Sequence, residues 1–165
     1  MGKDAYTLYI KGILGSLEDT VEILDLFYYN PNLITSTTTL PISNFPTNFK
    51  AIFKIKRAAS GDSGCWLEVG QDVNNCILLG QISSNGNIGI FIKRNGSYAA
   101  QEQSGTDVIQ RNVETELEYT LNNGVHTLSA NNVTLTLNNN LITSRNYIRA
   151  FILSNRVKEL KIHEL

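Results

Sequence analysis

The chain has 165 residues, of which 42% are hydrophobic and 18% are charged, and its formal net charge is -1. This length and composition predict one globular domain spanning residues 1–165. The near balance of charge disfavours nucleic acid and membrane surfaces as partners, because it gives no long-range attraction to phosphate. The sequence shows no long apolar run and no secretory signal at its start, so we expect neither a membrane span nor export.

The first part of the chain, residues 1–39, allows two interpretations. Ser16 could cap a helix in which Leu17, Val21 and Leu24 share one face. The alternative, which we favour, is a strand in VEILDLFYY, because β-branched and aromatic residues pack well against a sheet. The following LPISNFP is predicted to be an extended connector, since each proline disfavours helix in the residue before it.

From Phe49 onward, apolar and polar residues alternate with the period of a β-strand. In FKAIFKIK the phenylalanines share one face and the lysines the other, and NIGIFIKR and VTLTL repeat this pattern. Asn-Gly pairs at Asn85, Asn95 and Asn123 predict tight turns between antiparallel neighbours. Further strands are predicted in CWLEV, CILLGQI, ETELEYTL, YIRAFIL and VKELKIHEL. Ten to twelve strands in one domain imply two packed sheets or a closed barrel.

The order of these segments from Leu40 to Ile162 resembles the concanavalin A-like lectin/glucanase family, in its laminin-G-like and carbohydrate-binding-module branch. The resemblance implies an all-β fold, a jelly roll of two antiparallel sheets. It also implies a carbohydrate-binding role. Modules of this kind are frequent in phage tail fibres and baseplates, and the Asn-rich and Thr-rich stretches NLITSTTTL and NNVTLTLNNN have a similar composition.

Catalytic signatures are missing from the sequence. Glucanases of this family carry E-x-D-x-x-E on one strand, and no such string occurs. Glu114, Glu116 and Glu118 alternate with apolar residues and are predicted to face water. His126 and His163 are predicted to be surface strand residues, and no nucleotide-binding or zinc-protease motif is found. We therefore expect no enzyme activity, no cofactor and no metal.

A sugar site needs aromatic surfaces together with directed polar groups. Trp66, the only tryptophan, alternates with Leu67 and Val69, so it faces outward if those two residues are core; the alternative is a semi-buried anchor. In the family that the sequence resembles, loops similar to GQDVNNC can hold a calcium ion or a hydroxyl, although an ordinary turn is favoured here. The predicted sugar-binding residues are Trp66, Glu68, Tyr98, Gln101, Asp72 and Asn74.

The two cysteines, Cys65 and Cys76, are too few for a zinc site or a disulfide framework. We favour free thiols on neighbouring strands. A disulfide between them is the alternative, because the distance and orientation of the two side chains decide whether it forms.

Three functional hypotheses follow. The leading one is a non-catalytic carbohydrate-binding module, a receptor-binding or accessory domain of a phage tail or baseplate that recognises a host cell-surface polysaccharide and resides in the virion. The second is a structural or oligomerising module that contacts other virion proteins or copies of itself. The third, an enzyme, is disfavoured by the missing signatures.

Overall fold

The structure, a computed structural model, describes residues 26–30, 32–40, 45–61, 63–140, 142, 147–153 and 155–165. Residues 26–29 belong to a strand, so the second half of the strand predicted in VEILDLFYY is confirmed, whereas its first half and the alternative helix lie outside this part of the chain. All regular structure in the described residues is β, so none of their elements is a helix that could cross a bilayer. The strands are β1 (Leu26–Asn30), β2 (Thr38–Thr39), β3 (Phe49–Lys56), β4 (Gly64–Asp72), β5 (Asn75–Gln81), β6 (Ile88–Arg94), β7 (Ser97–Gln103), β8 (Glu114–Asn122), β9 (Val125–Ala130), β10 (Val133–Asn138), β11 (Tyr147–Leu153) and β12 (Arg156–Glu164).

The strands form two sheets. Sheet A has the order β1-β12-β3-β8-β9-β10, and sheet B has the order β2-β11-β4-β5-β6-β7. Every pair of neighbouring strands is antiparallel. The predicted all-β, two-sheet antiparallel sandwich is confirmed. The chain crosses between the sheets several times, so β4 lies beside β11 although nearly eighty residues separate them.

The alternation in the sequence determines which side chains fill the space between the sheets. On β3 the side chains of Phe49, Ala51, Phe53 and Ile55 are fully buried, while the intervening residues are not. The same pattern on β6 and β8 supplies isoleucine, leucine and tyrosine from the facing sheets. One continuous core results, as expected for two sheets packed face to face.

The outer face of sheet A is charged and ion-paired. Lys50 contacts Glu118 at 2.8 Å across β3 and β8, and Lys158 contacts Glu114 at 2.7 Å. Glu116 is also exposed. The prediction that these three glutamates face water is confirmed. Surface pairs of this kind stabilise a protein by about 1 kcal/mol or less each, so they keep the sheet soluble rather than hold the fold together.

Two of the three Asn-Gly pairs form the tight turns that the sequence predicts. Asn95 and Gly96 have φ angles of 50° and 79°, and Asn123 and Gly124 have 49° and 79°. Positive φ at both central residues is typical of the type I′ turn, whose twist matches that of a hairpin. In the third pair only Gly86 has a positive φ, because it belongs to a longer connection between β5 and β6.

The prediction of surface histidines is wrong. His126 and His163 are 2% and 3% exposed. His126 faces the core, where Nδ1 lies 2.7 Å from the Tyr119 hydroxyl and Nε2 lies 2.8 Å from the Asn139 carbonyl oxygen. His163 lies in sheet A between β1 and β3, and neither ring nitrogen has a hydrogen-bond partner among the described residues. The alternation in VHTLSA places His126 on the same buried side as Leu128 and could have indicated its burial, whereas the burial of His163 depends on what neighbouring strands cover.

His163 should make stability depend on pH. Burial, followed by the charges of Lys50 and Lys161, lowers the pKa of His163 below its ordinary 6.5. The unfolded chain then binds the proton more tightly, so this contribution to stability is present above pH 6.5 and is lost as the pH falls below it. We expect that the free energy of unfolding, measured by urea denaturation, decreases less on acidification in His163→Phe than in the wild type. Equal losses would contradict this assignment.

The two cysteines are free thiols. Cys65 pairs with Gln81 and faces the core. Cys76 pairs with Gly70 and points to the other side of sheet B, away from the core. The two positions are several residues apart along the ladder, well beyond the roughly 7 Å between Cα atoms that a disulfide allows. The favoured interpretation is confirmed.

Both thiols should react slowly. Burial raises the pKa of the Cys65 thiol, and burial together with the Glu68 charge raises that of Cys76 from 9.0 to about 11. Because the thiolate is the nucleophile, the pKa alone should slow Cys76 by about 100-fold near neutral pH. Titration with a disulfide reagent should release two equivalents only after unfolding. Rapid reaction of the native protein would contradict this burial.

Candidate functional site

Sheet B carries an unusual set of side chains on the face directed away from the core. Leu67 and Val69 of β4 are buried in the core, so Trp66 and Glu68 project to the other side. The register extends this face across the sheet, since Trp66 pairs with Phe151 and Gly80 and Glu68 pairs with Arg149 and Leu78. We call it the outer face of sheet B; its members are Trp66, Glu68, Cys76, Leu78, Gly80, Gly89, Phe91, Lys93, Tyr98, Gln101, Tyr147, Arg149 and Phe151.

The aromatic centre of this face is a stacked pair. The rings of Trp66 and Phe151 lie 4.1 Å apart between centroids, with 12° between their planes. The Trp66 ring extends along β4 over Gly64, where a Cβ atom would come within 2.9 Å of it. Both rings are half-buried. Stacking fixes the indole on one side and leaves an ordered aromatic surface on the sheet.

A carboxylate anchors the polar part of the face. Glu68 is 4% exposed and accepts hydrogen bonds from Trp66 Nε1 at 3.1 Å and from the Tyr147 hydroxyl at 3.1 Å. Arg149 adds a two-point contact, with Nε 2.9 Å from Oε2 and Nη2 3.0 Å from Oε1. Bidentate pairs of this kind are strong and directional. Glu68 therefore holds three neighbouring side chains in fixed positions.

The surroundings of Glu68 keep two of its neighbours protonated. The hydrogen bond to Glu68 raises the pKa of the Arg149 guanidinium, which stays a cation. Burial, and then the Glu68 charge, raises the pKa of Tyr147 from 10.0 to about 12. The Tyr147 hydroxyl thus remains a donor near neutral pH, and the cluster keeps one arrangement.

Gly80 leaves β5 without a side chain beside the stacked pair. Gly80 has a φ of 140°, and a Cβ there would lie 2.5 Å from the Cys65 carbonyl oxygen, so only glycine fits. Next to it on β6 is Gly89, and both the Phe91 ring and the Ile82 side chain lie over that position. Strands two apart in a sheet are separated by about 10 Å. The space over Gly80, between the strands that carry Trp66 and Phe91, therefore contains no side chain from β5.

The second aromatic element lies at the far side of the same face. Phe91 and Tyr98 make an edge contact with 5.2 Å between ring centroids, and Tyr98 is 60% exposed. Gln101 pairs with Phe91 and is exposed too. The structure thus places Tyr98 and Gln101 on the face that carries Trp66, three strands away in the sheet.

The remaining predicted residues lie at the end of β4 and in the turn that follows it. The Asp72 carboxylate accepts hydrogen bonds from the backbone N–H of Asn74 at 2.7 Å and of Asn75 at 3.0 Å. Its two oxygens also accept from the Asn75 side-chain amide. The carboxylate is therefore used by the turn itself. No group of three His, Cys, Asp or Glu side chains that could hold a metal ion is found in the described part of the chain.

Several members of the face were not among the predicted residues. YIRAFIL alternates clearly, and Tyr147, Arg149 and Phe151 are the residues opposite its buried positions. That signal was available, but nothing local shows that β11 lies beside β4. Phe91 and Gly80 were not predicted as site residues for the same reason, since their place on the outer face depends on the register between strands.

Two surface cavities lie elsewhere and have a different character. The larger, of about 470 Å³, is bordered by loop residues before β8 and by the β9–β10 turn. The smaller, of about 280 Å³, lies at the end of β3. Neither is lined by an aromatic side chain, so neither offers a stacking surface.

The two antiparallel sheets form a jelly-roll sandwich. No protein-family profile matches the sequence, and no curated protein matches it significantly. Solved structures do match. Galectin LEC-6 of Caenorhabditis elegans has a TM-score of 0.62 at 10% identity, over 83% of this chain and 95% of that one.

Two further solved structures indicate the range of proteins that share the fold. The CBM40 of the Ruminococcus gnavus IT-sialidase, bound to α2,3-sialyllactose, has a TM-score of 0.62 at 13% identity, over 84% of this chain and 92% of that one. The Aspergillus kawachii β-fructofuranosidase matches with 0.58 at 12% identity, over 84% of this chain but only 27% of the enzyme. At these identities the likeness establishes the fold.

Proposed function

We propose that this chain is a non-catalytic carbohydrate-binding module and that the outer face of sheet B is its binding surface. The observation that carries the proposal is the stacked Trp66–Phe151 pair beside the hydrogen-bonded Glu68 cluster. Flat aromatic rings accept the C–H face of a sugar, and directed polar groups bind its hydroxyls. This face combines both features.

The gap over Gly80 supplies the shape for such a ligand. A sugar ring placed there would contact the sheet backbone at its floor and the aromatic side chains of β4 and β6 at its sides. Gln101 and Tyr98 extend the surface toward the β7 edge. In this arrangement Glu68 positions Arg149 and Tyr147, while Trp66 makes the ring contact. Asp72 and Asn74 contribute by shaping the neighbouring turn.

The comparisons support a sugar-binding role. Galectins and carbohydrate-binding modules, including the CBM66 of Bacillus subtilis, share this fold over most of their length. The hydrolase match covers only a quarter of the enzyme. The only carboxylate on the described outer face is Glu68, which is saturated with hydrogen bonds and therefore poorly suited to acid-base chemistry.

We further propose the biological setting inferred from composition. A receptor-binding or accessory domain of a phage tail or baseplate, located in the virion and recognising a host cell-surface or cell-wall polysaccharide, is consistent with the Asn-rich and Thr-rich stretches. Binding of purified host envelope glycans by the isolated chain would support this setting. Binding confined to glycans absent from bacterial surfaces would contradict it.

A second candidate is a structural or oligomerising virion module. β7 is an edge strand whose side chains are almost all exposed, from Ser97 to Gln103. Exposed edges are templates for pairing with another chain. A stable oligomer in light scattering, dispersed by Ala100→Pro on β7, together with no glycan binding, would favour this candidate.

A glycan array probed with the labelled protein tests the leading proposal. We expect binding to a defined subset of glycans, with affinity reduced in Trp66→Ala and unchanged in Lys54→Ala, a change on sheet A. Absence of binding to any glycan, or binding that is insensitive to Trp66, would overturn the assignment of this face.

A further inference from the structure

We infer that the ligand of the outer face of sheet B is an acidic oligosaccharide, whose carboxylate or sulfate group is bound by Lys93 and whose remaining rings extend toward Trp66. The inference rests on the proposed function and names the class of sugar. It follows from the charges that the face leaves unsatisfied.

The carboxylate of Glu68 is not free to bind a ligand. Each of its oxygens already accepts two hydrogen bonds, Oε1 from Trp66 and Arg149 and Oε2 from Tyr147 and Arg149. A carboxylate has about four lone-pair sites, so its capacity is filled. Neutral sugars are usually held by carboxylates that accept from their hydroxyls, and this face offers no free one among its described residues.

The charged groups that remain are both donors. Arg149 is 26% exposed, and its Nη1 makes no hydrogen bond with the described residues. Lys93 is half-buried on β6 and forms no ion pair with them. The nearby Asp72 carboxylate is occupied by the amides of its own turn. A ligand group that binds these donors must be a hydrogen-bond acceptor, and an anionic acceptor makes the strongest hydrogen bonds to them.

Lys93 differs from Arg149 because its charge is uncompensated. Arg149 is neutralised by Glu68, whereas the cross-strand partners of Lys93 are Cys76 and Tyr98, neither of which is a carboxylate. Burying an unpaired ammonium is unfavourable, so a site that half-buries Lys93 gains by binding an anion.

The geometry requires a ligand longer than one sugar. Trp66 is in register with Gly89 across β5, and Lys93 is four residues further along β6. Two strand spacings across and four residues along amount to roughly 16 Å. Phe91 lies in this interval and Tyr98 lies beside Lys93 on β7, so an oligosaccharide can contact aromatic side chains along the way.

The test uses an array that contains acidic glycans and their neutral counterparts with the carboxyl groups reduced or esterified. We expect the bound set to be acidic and binding to fall at least about 10-fold when the acid is neutralised. Lys93→Gln should cause a similar loss and reduce the salt dependence of binding. Lys56→Gln, an exposed lysine on sheet A without an ion pair among the described residues, is the matched control.

The outcomes separate the two proposals. Equal binding of acidic and neutral forms, or a Lys93→Gln variant that binds like the wild type, overturns the acidic-sugar inference and leaves sugar binding intact. No binding of any glycan overturns both. Acidic binding that depends on Trp66 and Lys93 together supports both.

Discussion

Trp66→Ala is expected to weaken glycan binding by about 30-fold, which corresponds to about 2 kcal/mol. The indole is the largest aromatic surface on the outer face of sheet B and is held by Phe151 on one side and by its hydrogen bond to Glu68. Rigid aromatic anchors of this kind dominate binding energies, because little conformational entropy is lost when the ligand docks. Isothermal titration calorimetry with a glycan from the array measures the change.

Two companion variants make this result interpretable. Trp66→Phe keeps an aromatic surface and should retain part of the affinity. Lys54→Ala, on the outer face of sheet A, should bind like the wild type. Thermal melts of all variants show whether the fold is preserved. Wild-type affinity in a folded Trp66→Ala protein would show that the ligand binds elsewhere.

Glu68→Ala is expected to reduce the free energy of unfolding by about 2 kcal/mol. The change leaves the Arg149 guanidinium, the Tyr147 hydroxyl and the indole N–H without their shared acceptor. Loss of a buried ion-pair partner costs about 3–5 kcal/mol, but Arg149 is partly exposed, so water recovers some of the loss. Urea denaturation monitored by circular dichroism measures the difference.

Matched controls separate the cluster from a general effect of removing a glutamate. Glu116→Ala removes an exposed carboxylate from β8 and should change the stability by less than about 0.5 kcal/mol. Glu68→Gln retains the shape but not the charge and should be intermediate. If Glu68→Ala were as stable as Glu116→Ala, the carboxylate would not be organising the face.

The sandwich could be predicted because most of its strands and turns have recognisable local sequence patterns. Alternation in FKAIFKIK and Asn-Gly turns such as Asn123-Gly124 are enough to mark strands and hairpins. The burial of His163 could not be predicted, because its neighbours β1 and β3 are distant in sequence, whereas the alternation of His126 with Leu128 could have placed it on the buried side of β9. Local patterns give the facing of a side chain but not what covers it.

The site was predictable only in part, for the same reason. Outward projection of Trp66 and Glu68 follows from the buried Leu67 and Val69. The partners that complete the cluster reside on β11, whose position next to β4 is a property of the whole topology. The sequence also suggested that Glu68 was available to a ligand, whereas its saturation by Arg149 and its neighbours is visible only in the folded chain.

Nuclear magnetic resonance titration of the labelled protein with a glycan that binds in the array tests sugar binding on the outer face of sheet B most directly. Because the chain has one tryptophan, the spectrum contains a single indole N–H signal, that of Trp66. We predict that this signal shifts together with backbone signals of β4, β5 and β11. An unmoved indole signal, with shifts confined to sheet A or to the β7 edge, would contradict the assignment.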